Sequence, residues 1–299
     1  MMIGELAALG AAISWTISAM LYGKALQQTK PISANIVRLS CTSAVLLIIL
    51  AVAAGFGALP TLRLDIAALA AISGIVGLGL GDTLYMVSLK LIGVARAVPI
   101  TCTYPLFNLL WAVFFMGEKV TLSLVLGVVI IFLGIWLLSH EKGNSDVRGQ
   151  SKFLFKGVAA ALATALLWSV SIAMMGIAVK ETPSLNDALI INTIRTAAIA
   201  ALLLALSPMI DRQRNFLKMK RRTVATLIIG GLVALGLGWF FLAYSFIGIP
   251  ESQAVPISSA TPLFSTLVAI VLLREKVTAR NVLGSIIVVI GIFLVFLLK

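Results

Sequence analysis

"AVPITCTYPLFNLLWAVFFMGEKVT" runs from Ala97 to Thr121, and "AVPISSATPLFSTLVAIVLLREKVT" runs from Ala254 to Thr278. The second is the first displaced by 157 residues. Extending the comparison to Ala97–Ile135 against Ala254–Ile292 gives 19 identities in 39 positions. The same displacement carries Asn35 and Arg38 onto Asn192 and Arg195, and the "LGLG" at Leu78 onto the "LGLG" at Leu235. At the front, a displacement of 153 sets Gly4 and Trp15 on Gly157 and Trp168. The chain is therefore written twice: a first repeat over 1–141, a connecting loop over 142–153 and a second repeat over 154–299.

Composition says what kind of text is repeated. Hydrophobic residues make up 61% of the 299 and charged residues 11%, where a soluble domain carries about 25% charged residues. Too little polar surface exists to face water all round, so lipid must cover part of it. A bilayer core about 30 Å thick takes roughly 20 apolar residues in a helix. Ten such runs are present: Ile3–Leu21, Ser33–Ala54, Ile66–Ser88, Ala95–Phe115, Leu122–Ser139, Leu154–Val179, Asp187–Leu206, Thr223–Phe246, Ala254–Leu273 and Asn281–Leu298. Runs such as Leu124–Leu138 do not alternate apolar with polar residues, which excludes a membrane β-barrel. No Lys or Arg precedes the first run and no clear cleavage site follows it, so it reads as a span and not as a signal peptide.

Each repeat holds five runs, and five is odd. The second repeat must then enter the membrane upside down relative to the first. The expectation is an all-α integral membrane protein with ten transmembrane helices arranged as two inverted five-helix repeats, an architecture that places a binding site where the repeats meet.

The "PLF…EKVT…LG…G" text in each half, the Trp-bearing first run of each half, the ten runs and the five-run duplication together resemble the drug/metabolite transporter superfamily, EamA type, over essentially the whole chain. The resemblance implies a secondary transporter that exports or exchanges small polar metabolites, amino acids among them, across the cytoplasmic membrane by alternating access. It also implies that the last helix of each half serves helix packing or homodimer contact. The rival from another class is a non-transporting membrane scaffold or signalling subunit.

Other classes fall away. The chain has one histidine, His140, and shows no HExxH, no paired carboxylates and no nucleotide-binding loop. No enzyme, metal site or cofactor is expected, and transport must run on a gradient or on exchange. The net charge of +12 is spread over short loops, where lipid headgroups and not nucleic acid are the partner. Cys41 and Cys102 lie inside runs and read as small buried hydrophobes. With loops assigned to alternate faces, 17 Lys and Arg fall on one side and 4 on the side bearing both termini. The positive-inside rule then puts the termini outside, whereas the resemblance implies termini inside.

Candidate site residues follow from polar groups inside apolar runs. Proline frees the carbonyl four residues before it: Thr101 for Pro105 and Ser258 for Pro262. Thr101 and Asn108 then share a helix face with Pro105, as Ser258 and Ser265 do with Pro262. Such a stripe faces a cavity or merely patches the kink. Trp15 with Ser18, and Trp168 with Ser171, lie in mid-run, where indole and hydroxyl either meet a substrate or pack. Asp82 stands in the third run, with Trp239 as its counterpart. It is either a proton-coupling carboxylate, a partner for Arg38 or Lys90, or a hydrogen-bonded structural acid. Arg38 and Arg195 either snorkel, bond between helices or contact an anionic substrate group.

Overall fold

In an apolar solvent every backbone amide must be bonded within its own segment, and the described residues of this chain do so with helices alone. The computed structural model describes residues 2–54, 62–108, 111, 122–139, 148–271 and 277–297, and all regular structure in them is helical. The helices are α1 (Met2–Leu26), α2 (Pro31–Ala54), α3 (Leu64–Gly74), α4 (Asp82–Ile92), α5 (Val94–Thr101), α6 (Leu122–Ser139), α7 (Arg148–Glu181), α8 (Leu185–Ile210), α9 (Arg221–Gly231), α10 (Trp239–Gly248), α11 (Glu251–Ser258), α12 (Thr261–Val271) and α13 (Ala279–Leu297). Among the described residues, six continuous helical segments are long and apolar enough to cross a membrane: Ile3–Leu26, Pro31–Val52, Leu64–Ile92, Phe153–Glu181, Leu185–Ile210 and Arg221–Gly248. Val125–Leu138 and Ala279–Leu294 are shorter apolar helices. The Glu118–Lys119 and Glu275–Lys276 pairs and residues 142–147 of the connecting loop lie outside the described residues.

The surface is the reverse of a soluble protein's. Ile48 and Phe132 are more than 60% exposed, while Arg38, Asp82 and Arg195 are buried to within 2%. That distribution suits a multi-pass membrane protein, with lipid outside and polar groups turned inward.

The fourth and ninth runs differ from the kinked helices the sequence predicts. α5 stops at Thr101 and a turn at Cys102–Thr103 precedes a new helix at 104, while α11 stops at Ser258 and α12 starts at Thr261. Two prolines cause each break: Pro99 inside α5 with Pro105 just beyond, and Pro256 inside α11 with Pro262 in the first turn of α12. Hydroxyls take over the ladder. The Ser258 carbonyl, which Pro262 cannot bond, accepts from Thr261 Oγ1 at 2.9 Å. Thr103 Oγ1 donates to the Ile100 carbonyl at 2.7 Å.

Packing pairs the halves. α1 packs most closely on α10, α2 on α8, α4 on α7, α5 on α12 and α6 on α13, and each of these pairs joins one half to the other. The contacts also exchange when the halves are exchanged. Gly4 lies against Ile249 and its equivalent Gly157 against Ile92; Gly74 lies against the backbone of Arg195 and its equivalent Gly231 against that of Arg38. Small residues at these crossings let the helix backbones meet.

Candidate functional site

The segments Leu64–Ile92 and Arg221–Gly248 each contain a π-helical stretch, Ile75–Gly81 and Leu232–Gly238, over the repeated "LGLG" text. π-Bulges displace carbonyls from the ordinary ladder. An asparagine from the preceding span meets them in each half. Asn35 Nδ2 donates to the Leu78 and Gly79 carbonyls at 3.1 and 3.3 Å, and Asn192 Nδ2 donates to Leu235 O at 2.8 Å. The last glycine of each stretch, Gly81 or Gly238, leaves room for an indole of the other half. A Cβ on Gly81 would come within 2.9 Å of Trp168, and one on Gly238 within 2.6 Å of Trp15.

A cavity lies between these stretches. Its walls include Trp15, Ser18 and Tyr22 from α1, Arg38 from α2, Asp82 and Tyr85 from α4, Thr101 from α5, Tyr104, Trp168 from α7 and Trp239 from α10. The space open to the centre of a water-sized sphere is about 30 Å³, enough for one or two waters. A metabolite therefore needs the walls to part.

Asp82 is the anchor of the wall. It forms an ion pair with Arg38 and accepts from Trp168 Nε1 at 2.7 Å. Arg38 Nε donates to Asn35 Oδ1 at 2.8 Å, and its guanidinium lies 4.9 Å from the centre of the Tyr22 ring. Three helices and both halves are thus tied at one carboxylate. Lys90, the other partner considered for Asp82, instead donates to the Thr29 carbonyl at 2.7 Å. Arg38 and Arg195 do not snorkel: both are buried.

A model of the EamA-like transporter family matches twice, over residues 2–140 and 155–297. The chain belongs to the EamA-like transporter family. It is similar to a protein of Archaeoglobus fulgidus named as an uncharacterized transporter, at 25% identity over 99% of both chains. A Clostridium kluyveri protein with the same name is 22% identical over 74% of this chain and 69% of its own length. A solved crystal structure shares the fold with a TM-score of 0.67, at 20% identity and covering 99% of this chain and 96% of that one. The family and these relatives make the chain a membrane transporter and not an enzyme.

Of the polar residues singled out in the sequence, Trp15, Ser18, Asp82, Thr101, Trp168 and Arg38 meet around the cavity of this EamA-like transporter. Five others, Asn108, Ser171, Arg195, Ser258 and Ser265, do not line it. Ser171 exchanges reciprocal 2.8 Å bonds with Ser73 across the α7–α3 contact. Ser258 donates to Val255 O at 2.8 Å and so accepts from Tyr104, 2.7 Å away. Ser265 donates back to Pro262 O at 3.4 Å. Asn108 is half-buried, and neither amide atom has a hydrogen-bond partner among the described residues. The break after Thr101 takes Asn108 off the stripe that an unbroken helix would give. Arg195 stands behind Trp239, 4.4 Å from the ring centre. The wall also contains Tyr22, Tyr85, Tyr104 and Trp239. Tyr22 follows Trp15 and Ser18 at helical spacing, and Trp239 is the counterpart of Asp82, so both carried a signal in the sequence.

Proposed function

We propose that the protein is a secondary transporter of small polar metabolites, amino acids among them, in the cytoplasmic membrane, and that it works by alternating access. In this reading the chain crosses ten times, as two five-helix repeats of opposite orientation. The observation that carries it is the exchange symmetry of the contacts between halves, Gly4 on Ile249 with Gly157 on Ile92, around one cavity. Contacts that swap when the partners swap belong to a two-fold relation. Five crossings per half reverse the chain direction, which supports an axis lying in the membrane plane. Such an axis lets the halves trade shapes and so open the cavity to one face and then the other.

The lining supports the substrate class. Indole and phenol rings, hydroxyls and one ion pair suit a small solute with an apolar body and polar ends. Asp82 is held by Arg38 and Trp168, which favours a fixed counter-ion over a carboxylate that gives up its partner to a proton in every cycle. Counterflow tests the reading. Proteoliposomes preloaded with a pool of unlabelled amino acids and organic acids should take up a labelled member of that pool saturably, and faster than empty ones. Trp168→Ala should slow that uptake at least tenfold, because the indole both borders the cavity and holds Asp82. Uptake that is absent, or linear in concentration and indifferent to preloading, would remove the carrier reading.

A further inference from the structure

Equivalent arginines in the two halves have unequal partners. Arg38 has Asp82, Asn35 and the ring of Tyr22. The residues equivalent to Asp82 and Tyr22 are Trp239 and Met175, and these are what Arg195 meets. Its guanidinium lies 4.4 Å from the Trp239 ring centre, while Nη1 donates to Met175 Sδ at 2.7 Å and Nη2 to Ser171 Oγ at 3.1 Å. Nε of Arg195 and Oδ1 of Asn192 have no hydrogen-bond partner among the described residues, although their equivalents, Arg38 Nε and Asn35 Oδ1, bond each other. Both guanidinia are fully buried. Around the cavity, the described residues thus place two positive charges and one carboxylate, Asp82, which is ion-paired with Arg38. A ring face, a thioether and a hydroxyl stabilise Arg195 locally, but none of them carries a compensating charge.

We propose that the central cavity takes a small organic anion of one net negative charge, which balances the buried cluster. The inference rests on the transporter reading and narrows its substrate to anions, in preference to neutral zwitterions or amines. Arg38 borders the cavity, and the Trp239 ring stands between the cavity and Arg195, so the second charge acts on the cavity through one ring thickness. In a low-dielectric interior that field is not screened by salt. The apolar walls, Val98 and Ile172 among the aromatic rings, account for the organic body. Balance also sets the mode of operation. The loaded cluster is neutral and the unloaded one carries a net charge, so a loaded return is favoured over an empty one, and transport is exchange.

Tryptophan quenching tests the charge directly, in the full-length protein in detergent at about 0.3 M salt, where exposed charges are screened. With Trp111→Phe and Trp136→Phe, the emission comes from Trp15, Trp168 and Trp239, all at the cavity. Iodide should quench roughly tenfold more strongly than caesium, with neutral acrylamide giving the accessible fraction. Arg195→Gln should remove most of that preference. Trp239→Asp, which gives the second arginine the carboxylate of the first, should do the same. Asp82→Asn should increase it, and these opposite signs keep the test decisive if one variant fails to fold. Benzoate should relieve iodide quenching, and benzamide should not. Equal quenching by both ions, iodide excluded where acrylamide enters, a preference untouched by Arg195→Gln, or equal relief by benzoate and benzamide would each overturn the anion assignment; relief by neither would overturn its organic part. Quenching needs no transport, so counterflow without an anion preference defeats only this inference. An anion preference without counterflow defeats only the transporter reading.

Discussion

Glu251 opens α11, outside the apolar segments, and its half-buried side chain lies against α7, where a Cβ on Gly176 would come within 2.5 Å of Oε2. Burial pushes its pKa up to about 7, against the opposing pull of Lys180. The folded state therefore keeps a proton on Glu251 that the unfolded chain releases near pH 4.5, so folding stability falls as pH rises between those values. The loss amounts to at most about 3 kcal/mol. Thermal melts in detergent should show the midpoint dropping from pH 5 to pH 7.5, and Glu251→Gln should flatten that slope; an unchanged slope would mean the titrating group lies elsewhere. Nothing in the sequence marked Glu251, because its burial comes from a neighbour 75 positions away. Asp82 and Arg38 were legible, since charges inside apolar runs stand out. Their pairing was one alternative among several, because side-chain reach across two helices is not written in either run. Trp239 went unread as a site residue because, without Arg195 beneath it, an indole among Phe240 and Phe241 is one more apolar side chain.

Among the elements, the spans were legible wherever one unbroken apolar text makes one helix, as in α1, α2, α7 and α8. The π-helical stretches were not, because their displaced carbonyls are met by Asn35 and Asn192 from another helix. The glycines there do not all bear a close contact. Gly74 meets the backbone of Arg195, which cannot move aside as a side chain would, whereas nothing lies within 4 Å of a Cβ on Gly236. Gly74→Ala should destabilise the protein by about 1–3 kcal/mol, as overpacking does. Gly236→Ala, one π stretch away, should be neutral or stabilise by up to about 1 kcal/mol through helix propensity. Detergent melts of the two variants check the pair. Equal effects would mean that the α3–α8 crossing gives way more readily than backbone-to-backbone contact allows.

The molecule as a whole is better described by its cross-pairs than by its repeats. The repeats are what the sequence displays, as 157-residue echoes, yet α1, α2, α4, α5 and α6 each find their closest partner in the other half. No stretch of sequence announces that exchange; it follows only when two similar surfaces meet face to face. In lipid the drive for such association is close packing and interhelical hydrogen bonding, not burial from water. Here both run across the halves: Tyr22 to Gly230 O at 2.8 Å, Ser73 with Ser171, and Trp168 to Asp82. A half alone would leave Asp82 without Trp168 and Gly74 without Arg195. Expressed separately, residues 1–141 and 154–299 should each aggregate or be degraded. Co-expressed as two chains cut within 142–153, they should co-purify through size exclusion and recover counterflow to within a few-fold of the intact protein. A first half that purifies alone, monodisperse and with a cooperative melt, would show that each repeat folds on its own contacts and that the cross-pairs form late, between finished domains.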